Sequence, residues 1–328
     1  MNPTVSILVP IYKVSDYIEK CAESLFKQTF EDIEYIFVND DTPDDSVEKL
    51  EAVIKCFPAR KDKVTILHHQ ANQGLAAARN TALDAAKGAY IAVVDSDDYI
   101  EPDMIEVMYK KAIEANADIV VSDMIMEYPN RTEILEDYLS TDDNEHFSDI
   151  IRNEQSHSFL CDKLVRRDLY LLPECRVPQG LDYYEDRHVM SRLYYFANII
   201  VKVNRAFYHY VHYNSLAITK NKTRMHFENV VTFWNSFEDF LKEHNEYEKY
   251  KHLLALPKAQ SKVRLMIDTN TASLRSEYAD IFAHEELICI KSFRRGERLM
   301  MWLVRNRHFN MAQWFHDILK WKNKKHNK

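Results

Sequence analysis

The chain has little glycine: four residues in 328. It has no internal repeat and no low-complexity tract, and Gly74, Gly88 and Gly180 each fall at or beside a polar turn. Cysteine is also sparse. Cys21, Cys56, Cys161, Cys175 and Cys289 are odd in number and widely scattered, with no Cys-x-x-Cys pair. That excludes a disulfide frame and a cysteine zinc site, and it reads as reduced thiols in a cytosolic protein. No stretch reaches 18 apolar residues, so no membrane-spanning helix is expected. The first residues run into a strand-like segment without a basic opening or a long apolar core, so no secretory signal is expected either.

At 46% apolar and 29% charged residues, the chain has the composition of a soluble globular protein. Its length suits one large domain or two moderate ones. The net charge of −8 is unevenly spread. Residues 291–328 hold 11 Lys and Arg against Glu297 and Asp317, a net of +9, which leaves −17 for residues 1–290. An acidic body with a basic tail argues for a partner at the tail and against nucleic-acid binding.

Apolar runs at residues 5–10, 33–38, 64–68, 90–94 and 119–126 read as strands. Between them, residues 15–28, 47–56, 75–87 and 103–115 read as helices, with Ser15 as an N-cap and Gly88 as a C-terminal stop. Strand–helix alternation over about 125 residues with short connections calls for an α/β fold. The expected sheet is Rossmann-like and mostly parallel, with helices on both faces. Ligands bind such sheets at the carboxyl ends of the strands, where strand order reverses. The polar clusters after Val9, Val38 and Val94 all lie at such ends. Residues 128–145 lose periodicity and become acidic, which marks a boundary or a mobile loop. Residues 157–215, rich in aromatics, Arg and His, read as a second, smaller layer of mixed strands and helices. Helical periodicity dominates from Arg224 onward.

The fourth apolar run ends in Asp95-Ser96-Asp97-Asp98, three carboxylates in four positions. Like charges this close need a cation among them, and hard oxygens suit Mg²⁺ or Mn²⁺. The plainer reading is an Asp-rich surface turn.

The motifs in order resemble glycosyltransferase family 2. They are Val9-Pro10-x-Tyr12, Val38-Asn39-Asp40-Asp41-Thr42-Pro43-Asp44-Asp45-Ser46, Asn72-x-Gly74-x-x-x-Ala78-Arg79-Asn80, Gly88-x-Tyr90-Ile91, Asp95-Ser96-Asp97-Asp98 and Glu185-Asp186. Each is weak alone, and together in this order they are specific. Asn39-Asp40-Asp41-Thr42 stands where the family commonly has Asp-Asp-Gly-Ser, so Asp40 keeps the second Asp. Asp41 loses a flexible glycine, which is expected to alter the nucleotide turn.

The resemblance implies an A-type glycosyltransferase fold, a nucleotide-sugar donor, a divalent metal (Mn²⁺ or Mg²⁺) and inversion at the anomeric carbon. It implies that Pro10 and Tyr12 wall the base and ribose, and that Asp40 accepts a hydrogen bond from the base. Asn72 and Arg79 would seat the nucleotide and its phosphates. Asp95, with Ser96, would meet the ribose, and Asp97 with Asp95 and Asp98 would hold the metal. Asp186 would be the catalytic base, with Glu185 in reserve. Plainer readings stand beside these: Arg79 as a solvated helix residue, Asp40 and Asp44 as turn formers, Tyr12 as packing, and Glu185 and Asp186 as helix-start carboxylates. The expected division is a nucleotide-sugar-binding half at 1–128, an acceptor and catalytic-base half of the same domain at 129–222, and a helical region with a basic amphipathic tail at 223–328.

Cys161-Asp162-Lys163-Leu164-Val165-Arg166-Arg167 resembles the family's Lys-Leu-x-Arg-Arg segment. Its basic residues would meet an acidic or phosphorylated acceptor, or form a surface charge run. Tyr208-His209-Tyr210-x-His212-x-x-Ser215 resembles a loop that closes over donor or acceptor, with Val211 where the family often has Arg. His212 reads as a metal or phosphate contact or as a packed or exposed histidine.

In the tail, residues 299–304 are six apolar residues between Arg298 and Arg305. Met311, Trp314, Phe315, Ile318 and Leu319 follow at helical spacing, before Lys320, Lys322, Lys324, Lys325 and Lys328. Such a segment lies on an anionic membrane, pairs with another chain or packs on its own domain. A saccharide or lipid-linked acceptor and a cytoplasmic enzyme, peripheral on the inner face of the membrane, are the matching expectations. Two rivals are a nucleotide-sugar-binding scaffold without turnover and an Asp-x-Asp phosphohydrolase. The phosphohydrolase usually carries its Asp pair after the first strand, where this chain has Pro10 and Tyr12.

Overall fold

The computed structural model describes residues 3–152, 158–214, 217–219 and 222–326, the last eight of these by backbone alone. His157, Ser215 and Lys328, and the side chains of Leu319, Lys320, Lys322, Lys324 and Lys325, lie outside the described residues. The chain divides into two compact units, residues 1–216 and 217–328.

The first unit begins β1 (Val5–Ile11), α1 (Ile18–Phe26), β2 (Ile33–Asn39), α2 (Ser46–Cys56), β3 (Val64–His68), α3 (Leu75–Ala85), β4 (Tyr90–Val93), β5 (Tyr99–Ile100) and α4 (Met104–Ala115). It continues with β6 (Ile119–Tyr128), β7 (Arg131–Leu135), α5 (His146–Arg152), β8 (Lys163–Arg166), α6 (Arg167–Tyr170), α7 (Glu185–Phe196) and β9 (Ile200–Val211). The strands form one sheet in the order β3-β2-β1-β4-β8-β6-β9-β5, with β7 on β6. β1 to β4 pair in parallel. Beyond them the pairing is mixed: β8 runs antiparallel between β4 and β6, while β6 and β9 are parallel. The residues expected to form a separate smaller layer therefore extend the same sheet. The acidic stretch expected as a boundary begins with the β6–β7 hairpin.

The chain lays β2 and β3 on one side of β1, then returns through α3 to place β4 on the other. That reversal opens a crevice beyond the carboxyl ends of β1 and β4. The period-2 pattern sorts the two faces. Val5, Ile7, Val9 and Ile11 of β1 and Tyr35 and Phe37 of β2 join one core with Ile18, Cys21 and Leu25 of α1, Leu50 of α2, and Met104 and Met108 of α4. Leu8, Ile36 and Val38 are buried on the opposite parity, where the alanine-rich α3 packs on β1 and β2. Small side chains let that helix lie close to the sheet.

Two local expectations change. α1 starts at Ile18 without a side-chain cap, and Ser15 instead meets Asp45 through its hydroxyl and Asp44 through its backbone N–H. α3 stops at Ala85, with Ala86 extended, so Gly88 is not a left-handed stop. A Cβ at Gly88 would sit 2.5 Å from the backbone nitrogen of Ser6; close approach to β1 is what requires glycine there.

The basic run 163–167 also changes meaning. Lys163 is 1% exposed, and its Nζ donates to Asp162 Oδ1 at 2.7 Å and Asp137 Oδ2 at 3.0 Å. Burial works against its charge, but the two carboxylates hold the ammonium above its ordinary range. Burial pushes Asp162 up to about 7. Arg166 donates to Asp118 at 2.9 Å and lies over the Tyr90 ring. Both side chains fasten β8 into the sheet.

The second unit holds α8 (Arg224–Glu243), α9 (Tyr247–Asp268), α10 (Ala272–Glu277), α11 (Ala283–Cys289), α12 (Arg295–Arg305) and α13 (Phe309–His326). Phe227, Phe233, Trp234 and Phe237 of α8 are buried in it, and Trp234 Nε1 donates to Ser261 of α9 at 3.1 Å. Among the described residues no helix is long and apolar enough to cross a membrane.

Removing Lys163 takes the ammonium from two buried carboxylates. Lys163→Met is expected to cost about 3–5 kcal/mol in urea unfolding. Arg205→Ala breaks a half-exposed pair with Asp103 and is expected to cost less than about 1 kcal/mol. Equal losses in the two variants would contradict a structural role for Lys163.

Candidate active site

The site is built where β1, β2 and β4 end. Pro10 lies within β1 opposite Val38 and is buried. Pairing with β4 stops at Leu8, so the N–H that Pro10 lacks is not needed on that flank. The structure thus holds Pro10 in the sheet and leaves Tyr12, 41% exposed, beyond the strand end. Lys13 Nζ sits 4.9 Å from the Tyr12 ring centre.

Asp40, at the end of β2, is 3% exposed. Its Oδ1 meets His69 Nδ1 at 2.6 Å and the N–H of Gln73 at 2.8 Å. Its Oδ2 accepts from Asn72 Nδ2 at 2.8 Å and the N–H of Gly74 at 2.9 Å. Four partners fill the lone pairs of one carboxylate. The residue expected to meet a base is therefore spent on the β3–α3 connection, and Asn72 is spent with it. Next to it, Asp41 takes a left-handed φ of +55°. Asp tolerates that region, so the turn forms without glycine. Asp44 closes the turn by accepting from Thr42 and Ser46. Burial alone would raise its carboxyl, but these hydrogen bonds hold it below its ordinary value.

α3 starts at Gly74, φ +93°. The carboxylate of Asp182 receives the N–H of Ala76 at 2.8 Å, within the first turn of the helix. A Cβ at residue 74 would fall 2.8 Å from the Asp182 carboxyl carbon. Five residues into the helix, Arg79 is 6% exposed. One guanidinium nitrogen donates to Asp95 Oδ1 at 2.8 Å; the other meets Glu185 Oε1 at 2.8 Å and also Asp186. Arg79, expected to seat phosphates, here ties the turn after β4 to the first turn of α7. Tyr184, left-handed at φ +71°, leads the chain into α7 just before Glu185 and Asp186. Burial raises Asp186, Arg79 pulls against it, and the charge of Asp95 raises it further. Burial and the neighbouring Asp186 raise Glu185 well above the usual carboxylate range, against the pull of Arg79. Both carboxyls of the pair are thus held above their ordinary range by burial, with Arg79 pulling each of them down.

The three aspartates after β4 meet different partners. Asp98 is 3% exposed; it accepts from the Tyr208 hydroxyl at 2.7 Å and the Val211 N–H at 2.7 Å. It fastens β9 to the turn, with one hydrogen bond to each carboxylate oxygen. Ser96 is also buried. Asp95 donates its N–H to the Tyr208 oxygen at 3.1 Å and gives its carboxylate to Arg79. Asp97 receives Asn214 Nδ2 at 2.7 Å, and burial with the charge of Asp95 raises its carboxyl. A cleft of about 90 Å³ beside it is lined by Tyr17, Lys20, Tyr99 and Tyr213.

Asp95 and Asp97 fit a divalent cation by donor type and by crowded charge. Among the described residues no group of three or more His, Cys, Asp or Glu is placed to hold a metal ion. A cation here would complete its shell with water and substrate oxygens, as Mg²⁺ commonly does. His212 is packed, stacked on Tyr128 at 4.8 Å between ring centres. Sequence reasoning missed Tyr208, Asn214, Asp182 and His69. Tyr208 stood in a quoted motif and Asn214 at one of its unnamed positions, but only the fold pairs them with Asp98 and Asp97.

A family model described as "Glycosyl transferase family 2" matches residues 6–172. The Bacillus subtilis protein named as the glycosyltransferase EpsH is 32% identical over 257 residues, covering 76% of this chain and 72% of the relative. Among solved structures, S. aureus TarS 1–349 in complex with UDP has a TM-score of 0.65 at 18% identity, covering 97% of this chain and 92% of that one. The Pyrobaculum calidifontis mannosyltransferase PcManGT, in complex with GDP-Man and Mn²⁺, has a TM-score of 0.52 at 13% identity, covering 98% and 87%. At these identities the structural likeness is one of fold.

The glycines give a direct test of the site's packing. Gly74→Ala combines a positive φ with the Asp182 clash, and is expected to cost about 2–3 kcal/mol. Gly180 has φ +80° but no heavy atom within 4 Å of the Cβ position, so Gly180→Ala should cost about 1 kcal/mol. Chemical denaturation of both variants compares them; the reverse order would mean that Asp182 does not pack against Gly74.

Proposed function

The chain belongs to glycosyltransferase family 2, and from that premise we propose an inverting, metal-dependent enzyme of polysaccharide or glycoconjugate synthesis. It takes a sugar from a nucleotide-sugar donor, a UDP-sugar first, and passes it to a saccharide or lipid-linked saccharide acceptor. The observation that carries this reading is the Arg79 bridge. One guanidinium holds Asp95, beyond the end of β4, against Glu185 and Asp186 on α7. A donor turn and a candidate base are thereby fixed on either side of one cation, beside the crevice where strand order reverses.

In this reading Tyr12 lies against the base and ribose, and Asp95 reaches the ribose hydroxyls. Asp40 and Asn72 act at one remove, by setting the turn that carries the donor. Asp97, with Asp95, would hold the cation, whose chemistry is to neutralise charge on the departing nucleoside diphosphate. Asp186 takes the proton from the acceptor hydroxyl. The acceptor oxygen bonds to the anomeric carbon as the bond from that carbon to the diphosphate oxygen breaks, so the configuration inverts. Glu185 shares the same guanidinium nitrogen, and Arg79 orients the Asp186 carboxylate. The UDP preference is supported by the fold shared with a protein crystallised with UDP, and the cation by the fold shared with one crystallised with Mn²⁺.

Calorimetric titration of UDP, with and without Mn²⁺, tests the donor half. The wild type should bind with metal dependence, and Asp97→Ala should lose that dependence; binding indifferent to Mn²⁺ in both would remove the metal from the proposal. Asp186→Asn should keep UDP binding and lose about 10²–10⁴-fold in transfer. A variant with full transfer would show that Asp186 is not the base.

The pH profile tests the base separately. Because the carboxyl is raised above its ordinary 3.8, kcat/KM should fall as pH drops through a value above that figure. The limb should be absent from the residual rate of Asp186→Asn. An acidic limb at the ordinary carboxylate position would contradict the assignment.

A further inference from the structure

The helical unit carries a helix with two opposed faces. On α12, Met300, Met301, Leu303 and Val304 are buried, none more than 4% exposed. The opposite stripe holds Arg295, Arg298, Leu299, Trp302 and Arg305, all exposed. At 3.6 residues per turn these five fall within about one third of the helix circumference. Leu299 is 44% and Trp302 47% exposed. Arg295 and Arg298 have no ion-pair partner among the described residues, and Arg305 is 3.9 Å from Glu286. The following helix, α13, buries Ala312 and His316 and leaves Met311 and Trp314 55% and 66% exposed. Two successive helices therefore satisfy their inward faces and still present a tryptophan and a neighbouring apolar residue to solvent.

We propose that the exposed α12 stripe, extended by Met311 and Trp314 of α13, docks on an anionic lipid surface. A protein partner would favour a central apolar patch depleted of charge. Here arginines flank a leucine and a tryptophan on one exposed stripe, so the apolar pair can enter the headgroup layer while the guanidiniums meet its phosphates. Tryptophan suits that interface, with an apolar ring and one N–H. Charge complementarity points the same way. Residues 291–328 carry +9, while residues 1–290 carry −17 and are repelled by an anionic surface. The charge balance thus favours docking at this end of the chain. No described helix can span a bilayer, so the contact is in the plane of the surface. The proposal does not depend on the chemistry assigned above, and no residue in it belongs to the active site.

The test is flotation of the full-length chain with phosphatidylcholine vesicles, pure or with about one third phosphatidylglycerol. The wild type should float with the anionic vesicles only, and should release as salt rises towards about 1 M, where the screening length shrinks to about 3 Å. Leu299→Ser with Trp302→Ser should abolish flotation while the thermal midpoint stays within a few degrees. Arg295→Gln with Arg298→Gln should lower the partition coefficient by about fivefold for each charge removed. Arg205→Gln, on the first unit, should float like the wild type. Wild-type protein that stays with the soluble fraction, or stripe variants that float unchanged, would overturn the proposal. So would a wild-type dimer that the Leu299→Ser and Trp302→Ser pair converts to monomer, since the stripe would then be a contact between copies.

Discussion

The active-site half of the structure turns on one buried guanidinium facing three carboxylates. Arg79 reaches Asp95 sixteen residues ahead and Glu185 106 residues ahead. A planar fork with five donors can do this, whereas a lysine could not hold three partners at fixed angles. Burying Arg79 costs desolvation energy that the ion pairs do not have to repay in full. What the arrangement secures is geometry: the turn after β4 and the start of α7 cannot drift apart without stranding charge. The alanines of α3 are part of the same constraint. They bring the helix close to β1 and β2, and Gly74 with Asp182 sets where its first turn begins.

The first four strands and their helices were legible in the sequence because apolar runs of the right length and spacing leave little choice once both faces of a sheet must be covered. The antiparallel β8 was not. Its four residues are led by Lys163, and a buried lysine reads from the sequence as a surface charge. Only the fold supplies Asp137 and Asp162, 26 and one residue away, and makes burial tolerable. Gly88 reads as a helix stop for a similar reason. The approach of Ser6, 82 residues away, leaves no mark on the local pattern.

The candidate site was legible as a set of residues but not as a set of partnerships. Asp40 and Arg79 were both expected to face a ligand, and both turn out to hold other protein groups. Sequence order shows which polar residues gather at strand ends; it does not show which of them consume one another. Asp40 is surrounded by N–H groups because Asn72, Gln73 and Gly74 must turn back over β2. A carboxylate with four acceptor sites is the group that satisfies such a turn.

The same accounting separates the three aspartates after β4. Asp95 has the cation of Arg79. Asp98 is buried, raised well above its ordinary value by burial and the charges of Asp97 and Asp95, and bonded to Tyr208 and Val211. Among the described residues, Asp97 has only the neutral amide of Asn214 as its side-chain partner, with Asp95 near enough to raise its carboxyl. A carboxylate in that position lowers its free energy by gaining a positive charge, and among the described residues no cationic side chain pairs with it. Of the three, Asp97 is therefore the one that the described residues leave with neither a cationic nor a hydroxyl partner.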